Sequence, residues 1–242
     1  MMTLLLLLLP WAPVLNAEQS NKKVVFATEA TYPPFVSMNA NGELGGFETK
    51  LVQKLCEKAQ LECSFKHLPF DSLFSSLSLN KIDAVYGSIG ISERRKKQVL
   101  FTKVLYTVPT GFILNEQEPF EEKTIGVQQG TLGYEDYLKK TYPKAKLKAY
   151  ASIQDALLDL KNKRIQAVFG DLPVFKLWAT KQKADHYVYK ELSAEEVRSF
   201  AEGIGIATRK DSEWLIDKLN KAFDEMIADG TTFEKLKQEY WE

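Results

Sequence analysis

"LFSSLSLNKIDAVYGS", residues 73–88, recurs in outline as "ALLDLKNKRIQAVFGD", residues 156–171. Laid side by side, Leu77 meets Leu160, Ile82 meets Ile165, and Ala84 and Val85 meet Ala167 and Val168. Tyr86 then faces Phe169, and Gly87 faces Gly170. Each copy reads as an amphipathic helix, a basic turn, an apolar strand and a glycine at the strand's end. All αβ units share this grammar, but a second full copy implies two lobes of like construction. Ser88 and Asp171, which close the two copies, would then occupy equivalent places facing one another.

The surrounding sequence extends the pattern. "KVVFAT", a helical run over 48–59, "ECSFKHL", "FDSLFSSLSLNK" and "IDAVYGS" alternate strand with helix, and "KTIGVQQGT" restarts the alternation. That order predicts an α/β protein whose sheets have parallel strands joined by helices. "GIGIAT" reads as a further strand, "SEWLIDKLNKAFDEMIADG" as an amphipathic helix ended by Gly230, and "TTFEKLKQEYW" as a last helix. If this segment returns to the first lobe, residues 18–106 and 202–242 form one lobe and 111–193 the other. The chain then crosses twice, at 107–110 and 194–201, and two crossings make a hinge. Ligands of open α/β sheets sit beyond the carboxyl ends of strands, so the site belongs in the cleft between the lobes.

The chain has 242 residues, 45% hydrophobic and 26% charged, with 32 basic and 32 acidic side chains. Such a balance gives no field that would favour nucleic acid or an anionic membrane. Residues 1–17, "MMTLLLLLLPWAPVLNA", carry an apolar run too short to span a bilayer and read as a secretory signal peptide cut near Ala17, an uncleaved anchor being the alternative. The two cysteines, Cys56 and Cys63, lie at a helix end and a strand start. They suit either a disulfide in an oxidising compartment or two buried thiols. His67 and His186 are the only histidines and lack ligand spacing, so neither a metal site nor a histidine triad is expected, nor any cofactor.

In "FATEATYPPF", Glu29 sits at a strand exit with Tyr32 three residues on, and Pro33–Pro34 turns the chain. Phe70 opens the helix of "LPFDSL". An acid between two aromatic faces suits a ligand cation. In "SERRKK" Ser92 stands as an N-cap, yet the third helical position holds Arg95 where a glutamate would complete a capping box. A cation there is disfavoured by roughly 0.3–1 kcal/mol.

Taken in order, "FATEATYPPF", "GGFETKLVQKLC", "FDSLFSSL", "GSIGISERRKKQVLFT", "GVQQGT" and "VFGD" resemble the periplasmic solute-binding proteins of polar amino acid ABC importers, in particular the arginine-binding and lysine/arginine/ornithine-binding branch. The resemblance implies the two-lobed periplasmic-binding-protein fold of type II, each lobe a mixed sheet flanked by helices, closing over one free amino acid. It also implies a membrane permease as the partner and a Cys56–Cys63 disulfide found in some members; the signal peptide implies a periplasmic location, and closure, which needs two lobes free to move, favours a monomer. By the same carry-over Arg95 binds the ligand's α-carboxylate, helped by the N–H groups of its helix start, and ligand thereby neutralises the misplaced cation. Asp171 accepts the α-ammonium beside Ser88, Gly87 and Gly90; Thr131 holds the carboxylate from the second lobe; Glu29 meets the side-chain cation between Tyr32 and Phe70. Glu48, acting through water, and Gln128 are secondary candidates.

The branch commonly has aspartate where Glu29 stands and serines at Gly87 and Gly90, and "TLG" replaces a more polar run. These departures leave the order among arginine, lysine, ornithine and histidine open, with arginine first. Two rival classes use the same fold: a secreted dehydratase-like enzyme, which needs an acid or base beyond the binding set, and a free ligand sensor for a membrane receptor.

Overall fold

The computed structural model describes residues 23–115 and 122–240, so the expected signal peptide lies outside the described residues. The first half runs β1 (Val24–Thr28), β2 (Thr31–Tyr32), β3 (Val36–Met38), β4 (Leu44–Gly45), α1 (Phe47–Lys58), β5 (Cys63–His67), α2 (Phe70–Ser78), β6 (Ala84–Val85), α3 (Glu93–Lys96) and β7 (Leu100–Phe101). The second continues with β8 (Thr110–Leu114), β9 (Thr124–Gln128), α4 (Leu132–Thr141), β10 (Lys146–Tyr150), α5 (Ile153–Lys161), β11 (Ala167–Asp171), α6 (Leu172–Lys181) and β12 (Val188–Glu191). Then come α7 (Ala194–Arg198), β13 (Ala207–Thr208), α8 (Glu213–Ala228) and α9 (Thr232–Tyr240). No helix among the described residues is long and apolar enough to cross a membrane.

Two five-stranded sheets carry the molecule, ordered β5-β1-β6-β13-β7 and β10-β9-β11-β8-β12. Their pairings match position by position: the first three strands of each are parallel, and the fourth runs antiparallel to both neighbours. The fourth strands enter from opposite directions along the chain. β8 precedes the rest of its sheet, whereas β13 arrives after the whole second sheet is complete. The repeat in the sequence is therefore a repeat in space, with α2–β6 and α5–β11 as its copies. Even a detail of strand support is duplicated: Asp83 Oδ2 accepts the Val25 N–H at 2.9 Å, and Gln166 Oε1 accepts the Thr124 N–H at 3.2 Å.

The C-terminal helices return to the first sheet's side of the molecule, where α8 and α9 pack on α1. Leu215, Leu219, Phe223 and Met226 of α8 are buried at helical spacing, and each such side chain contributes about 1.5–3 kcal/mol by burial. Phe47, fully buried, meets Phe233 edge to face at 5.9 Å. It can open α1 only because Gly46 precedes it: Gly46 has φ 93, and a Cβ there would lie 2.6 Å from the Phe35 carbonyl oxygen.

Cys56 and Cys63 are joined as a disulfide, with Cα atoms 6.3 Å apart, tying the end of α1 to the start of β5. Closing so short a loop constrains the unfolded chain by about 2 kcal/mol. Reduction, or a double Cys→Ser exchange, should lower the melting temperature by roughly 4–8 °C. An unchanged melting temperature would mean that the bridge does not form in solution.

The expected second crossing, residues 194–201, holds a short helix. Residues 194–198 are helical because Ser193 and Glu196 form a capping box: Ser193 N–H donates to Glu196 Oε2 at 2.8 Å, and Glu196 N–H donates to Ser193 Oγ at 3.2 Å. Phe200 then packs on Tyr134, Tyr137 and Phe169, so this stretch lies against the second sheet's core. The passage to the first sheet follows it. Ile204 bridges to both Gly90 and Tyr106, its N–H donating to the Tyr106 carbonyl at 2.8 Å and its carbonyl accepting the Leu105 N–H at 2.9 Å. The two passages between sheets are thus hydrogen-bonded to each other.

Candidate functional site

The carboxyl ends of β1, β6 and β9 open onto a cavity of about 430 Å³ between the lobes. Glu29, Tyr32, Phe70, Gly87, Ser88, Gly90, Arg95, Gln128 and Thr131 all line it. Asp171 and Glu48 do not, since each is nearly fully buried behind the wall.

The wall has the symmetry of the sheets. Phe26 pairs with Ala84 in the first, and Ile125 with Ala167 in the second, which sets Glu29 level with Gln128. These two equivalent residues meet across the cleft: Gln128 Nε2 donates to Glu29 Oε2 at 2.5 Å. The other Glu29 oxygen accepts the Thr31 hydroxyl at 2.7 Å. Ser88 and Asp171 meet in the same way, Ser88 Oγ donating to Asp171 Oδ2 at 2.6 Å. Two pairs of register-equivalent side chains therefore hold the lobes face to face.

Asp171 has more partners than the sequence indicates. Tyr134 donates its hydroxyl to Asp171 Oδ1 at 2.6 Å, and Thr110 donates to the same oxygen at 3.4 Å. Burial raises the Asp171 carboxyl, with the Ser88 and Tyr134 bonds opposing. Burial likewise raises Glu29 against its bonds from Thr31 and Gln128. Both acids sit in surroundings that penalise their charge.

Arg95 shows the converse. It is half-buried, and burial lowers its guanidinium to about 10, still cationic at neutral pH. Its Nη1 donates to the Gly90 carbonyl at 3.0 Å and its Nη2 to the Gly130 carbonyl of the other lobe at 3.4 Å. The guanidinium carbon stands 5.0 Å from the Phe74 ring centre and 6.0 Å from that of Phe70. Among the described residues Arg95 has no carboxylate partner. Ser92 caps α3 by accepting the Arg95 N–H at 3.4 Å, but α3 has only four residues. One turn builds little dipole, so anion attraction rests on the guanidinium rather than on the helix start. Thr131 turns its hydroxyl to the Gln128 carbonyl at 2.6 Å and still borders the cavity.

Neither histidine lines the cavity: His67 Nδ1 accepts the Ala30 N–H at 3.0 Å, and His186 lies against Tyr187. Tyr134, Thr110, Phe74 and Phe200 complete the site without having stood out in the sequence. "YEDY" offers Tyr134 and Tyr137 alike, and only placement sends the first to Asp171 and the second to Glu196.

Residues 24–242 match the bacterial extracellular solute-binding proteins, family 3. The chain is 37% identical over 213 residues to an arginine-binding periplasmic protein of Mannheimia haemolytica, covering 88% of each. It is 33% identical over 233 residues to a histidine-binding periplasmic protein of Salmonella typhimurium, covering 91% of this chain and 88% of that one. Its fold matches the structure of a Salmonella typhimurium periplasmic binding protein with high arginine specificity at a TM-score of 0.82 and 28% identity, over 91% of this chain and 99% of the other.

Proposed function

The chain belongs to the bacterial extracellular solute-binding proteins of family 3, and on that footing we propose that it captures a cationic L-amino acid, arginine first, and delivers it to the membrane permease of an ABC importer. The observation that carries this reading is Arg95, a guanidinium facing a cavity with no carboxylate partner among the described residues. Its planar fork suits an α-carboxylate through two parallel charge-assisted hydrogen bonds. Asp171 then takes the α-ammonium, which replaces or bridges its present bond from Ser88. Glu29 takes the side-chain cation between Tyr32 and Phe70, with Gln128 beside it. Each charge of the site thus gains an opposite charge, and the contacts between lobes make closure and capture one event. Residues 107–110 and 201–206 are the hinge of that motion, the protein works as a monomer, and its place is the periplasm.

A thermal-unfolding panel on protein stripped of ligand tests the reading. Arginine at about a thousand times its dissociation constant should add roughly 4 kcal/mol of stability, with smaller shifts for lysine and ornithine and none for glutamate. Glu29→Gln should weaken arginine roughly 10- to 100-fold, as expected for one charge-assisted contact of about 1.5–3 kcal/mol, and leave glutamine nearly unaffected. Equal losses for both ligands would remove Glu29 from the side-chain pocket, and no shift with any amino acid would overturn the reading.

A further inference from the structure

Glu48 lies behind the cleft, 4% exposed, and the capture step above gives it no task. Although it is the second residue of α1, its carboxylate does not serve its own helix. Oε2 accepts the Ser88 N–H at 2.7 Å, and Oε1 accepts the Tyr106 hydroxyl. Ser88 is held at φ 52, directly after Gly87 at φ 117, so the turn that aims the Ser88 hydroxyl at Asp171 adopts left-handed backbone twice in succession. A non-glycine residue keeps such a conformation only when its surroundings fix it. Tyr106 stands at the start of the first passage between lobes, and its backbone pairs with Ile204 of the second. One buried carboxylate therefore joins the strained turn of the binding site to both passages of the hinge.

We propose that Glu48 is a positioning residue whose ionised carboxylate locks the Ser88 turn to the hinge, and that a proton on Glu48 loosens this lock and releases the ligand. The inference rests on the amino acid reading above. The titratable groups facing Glu48 are Tyr106 from the first passage, Tyr86 from the end of β6, and Asp171 from the end of β11. Burial raises the Glu48 carboxyl to about 7, the bonds from Tyr106 and Ser88 oppose that, and the charge of Asp171 adds to it. A ligand ammonium at Asp171 reverses the last contribution, because a cation near two acids favours the ionised form of both. Binding near neutral pH then expels a proton. By linkage, affinity rises with pH through that range and falls as the medium acidifies.

Calorimetric titration with L-arginine between pH 5.5 and 8, in two buffers of different ionisation enthalpy, tests the proposal. The wild-type protein should release part of a proton per arginine near pH 7 and bind about tenfold more tightly at pH 8 than at pH 5.5. E48Q should release none there and show a flat profile, so that its deficit against wild type widens as pH rises. Y106F, which removes one bond that favours the ionised acid, should move the wild-type midpoint to higher pH. It decides the matter by itself if E48Q does not fold. An unaltered pH profile in E48Q, or a loss of affinity equal at every pH, would assign the proton elsewhere or reduce Glu48 to a structural role; either overturns the proposal while the amino acid reading stands. Failure of every amino acid to bind at any pH overturns both.

Discussion

Replacing Arg95 by lysine should weaken the binding of every amino acid, whatever its side chain, by roughly 30- to 1000-fold. The guanidinium faces the cavity with no carboxylate partner among the described residues and is held by two backbone carbonyls, one from each lobe. Lysine keeps the charge but loses the fork, so the loss stays below the roughly 5 kcal/mol upper end of what removing one side of a desolvated charged pair costs. Agmatine, which is arginine without its carboxylate, supplies the control. It should bind the wild-type protein weakly and the lysine variant no worse. A loss confined to cationic amino acids, or equally large for agmatine, would show that Arg95 does not hold the carboxylate.

Asp171→Asn should cost a similar factor for α-amino acids and spare a guanidino acid lacking the α-amino group. Its consequence for the empty protein has the opposite sign. Burial already raises the Asp171 carboxyl, so its charge is a burden whenever no ammonium is present. Asparagine can accept from Tyr134 and donate to Ser88, retaining the two short contacts. Ligand-free Asp171→Asn should therefore melt no lower than wild type, with its advantage growing as pH rises above the ordinary carboxylate range. A variant that melts well below wild type would mean that the contact across the lobes depends on the charge itself. Comparing unfolding curves with and without arginine separates the two effects.

Much of the fold was legible because the duplicated αβ unit combines helical period, basic turn and apolar strand within one short window, residues 73–88 and 156–171. That window ends at Ser88 and Asp171, so their meeting could be anticipated. The equivalence of Glu29 with Gln128 could not, because it follows from the register of β1 and β9, which lie outside the repeated stretch. α7 was visible in principle: Ser193 and Glu196 have capping-box spacing, but the surrounding polar residues resemble a linker. Tyr134 and Glu48 show where local reading stops. Glu48 looks like an acid placed for its own helix dipole, and only the folded chain turns it toward Ser88 and Tyr106.

The late arrival of β13 also bears on how the molecule assembles. The second sheet draws on one continuous stretch, from β8 to β12, and can close from local contacts alone. The first lacks its fourth strand, the link between β6 and β7, until residue 207 comes into place. Pairing over so long a separation in sequence carries a larger loop-closure cost and slows folding. During refolding, amides of β9 and β11 should gain protection from hydrogen exchange before those of β1 and β6, and simultaneous protection would contradict this order. On that order the sheet built from two separated segments waits for the continuous one, and the cleft forms last.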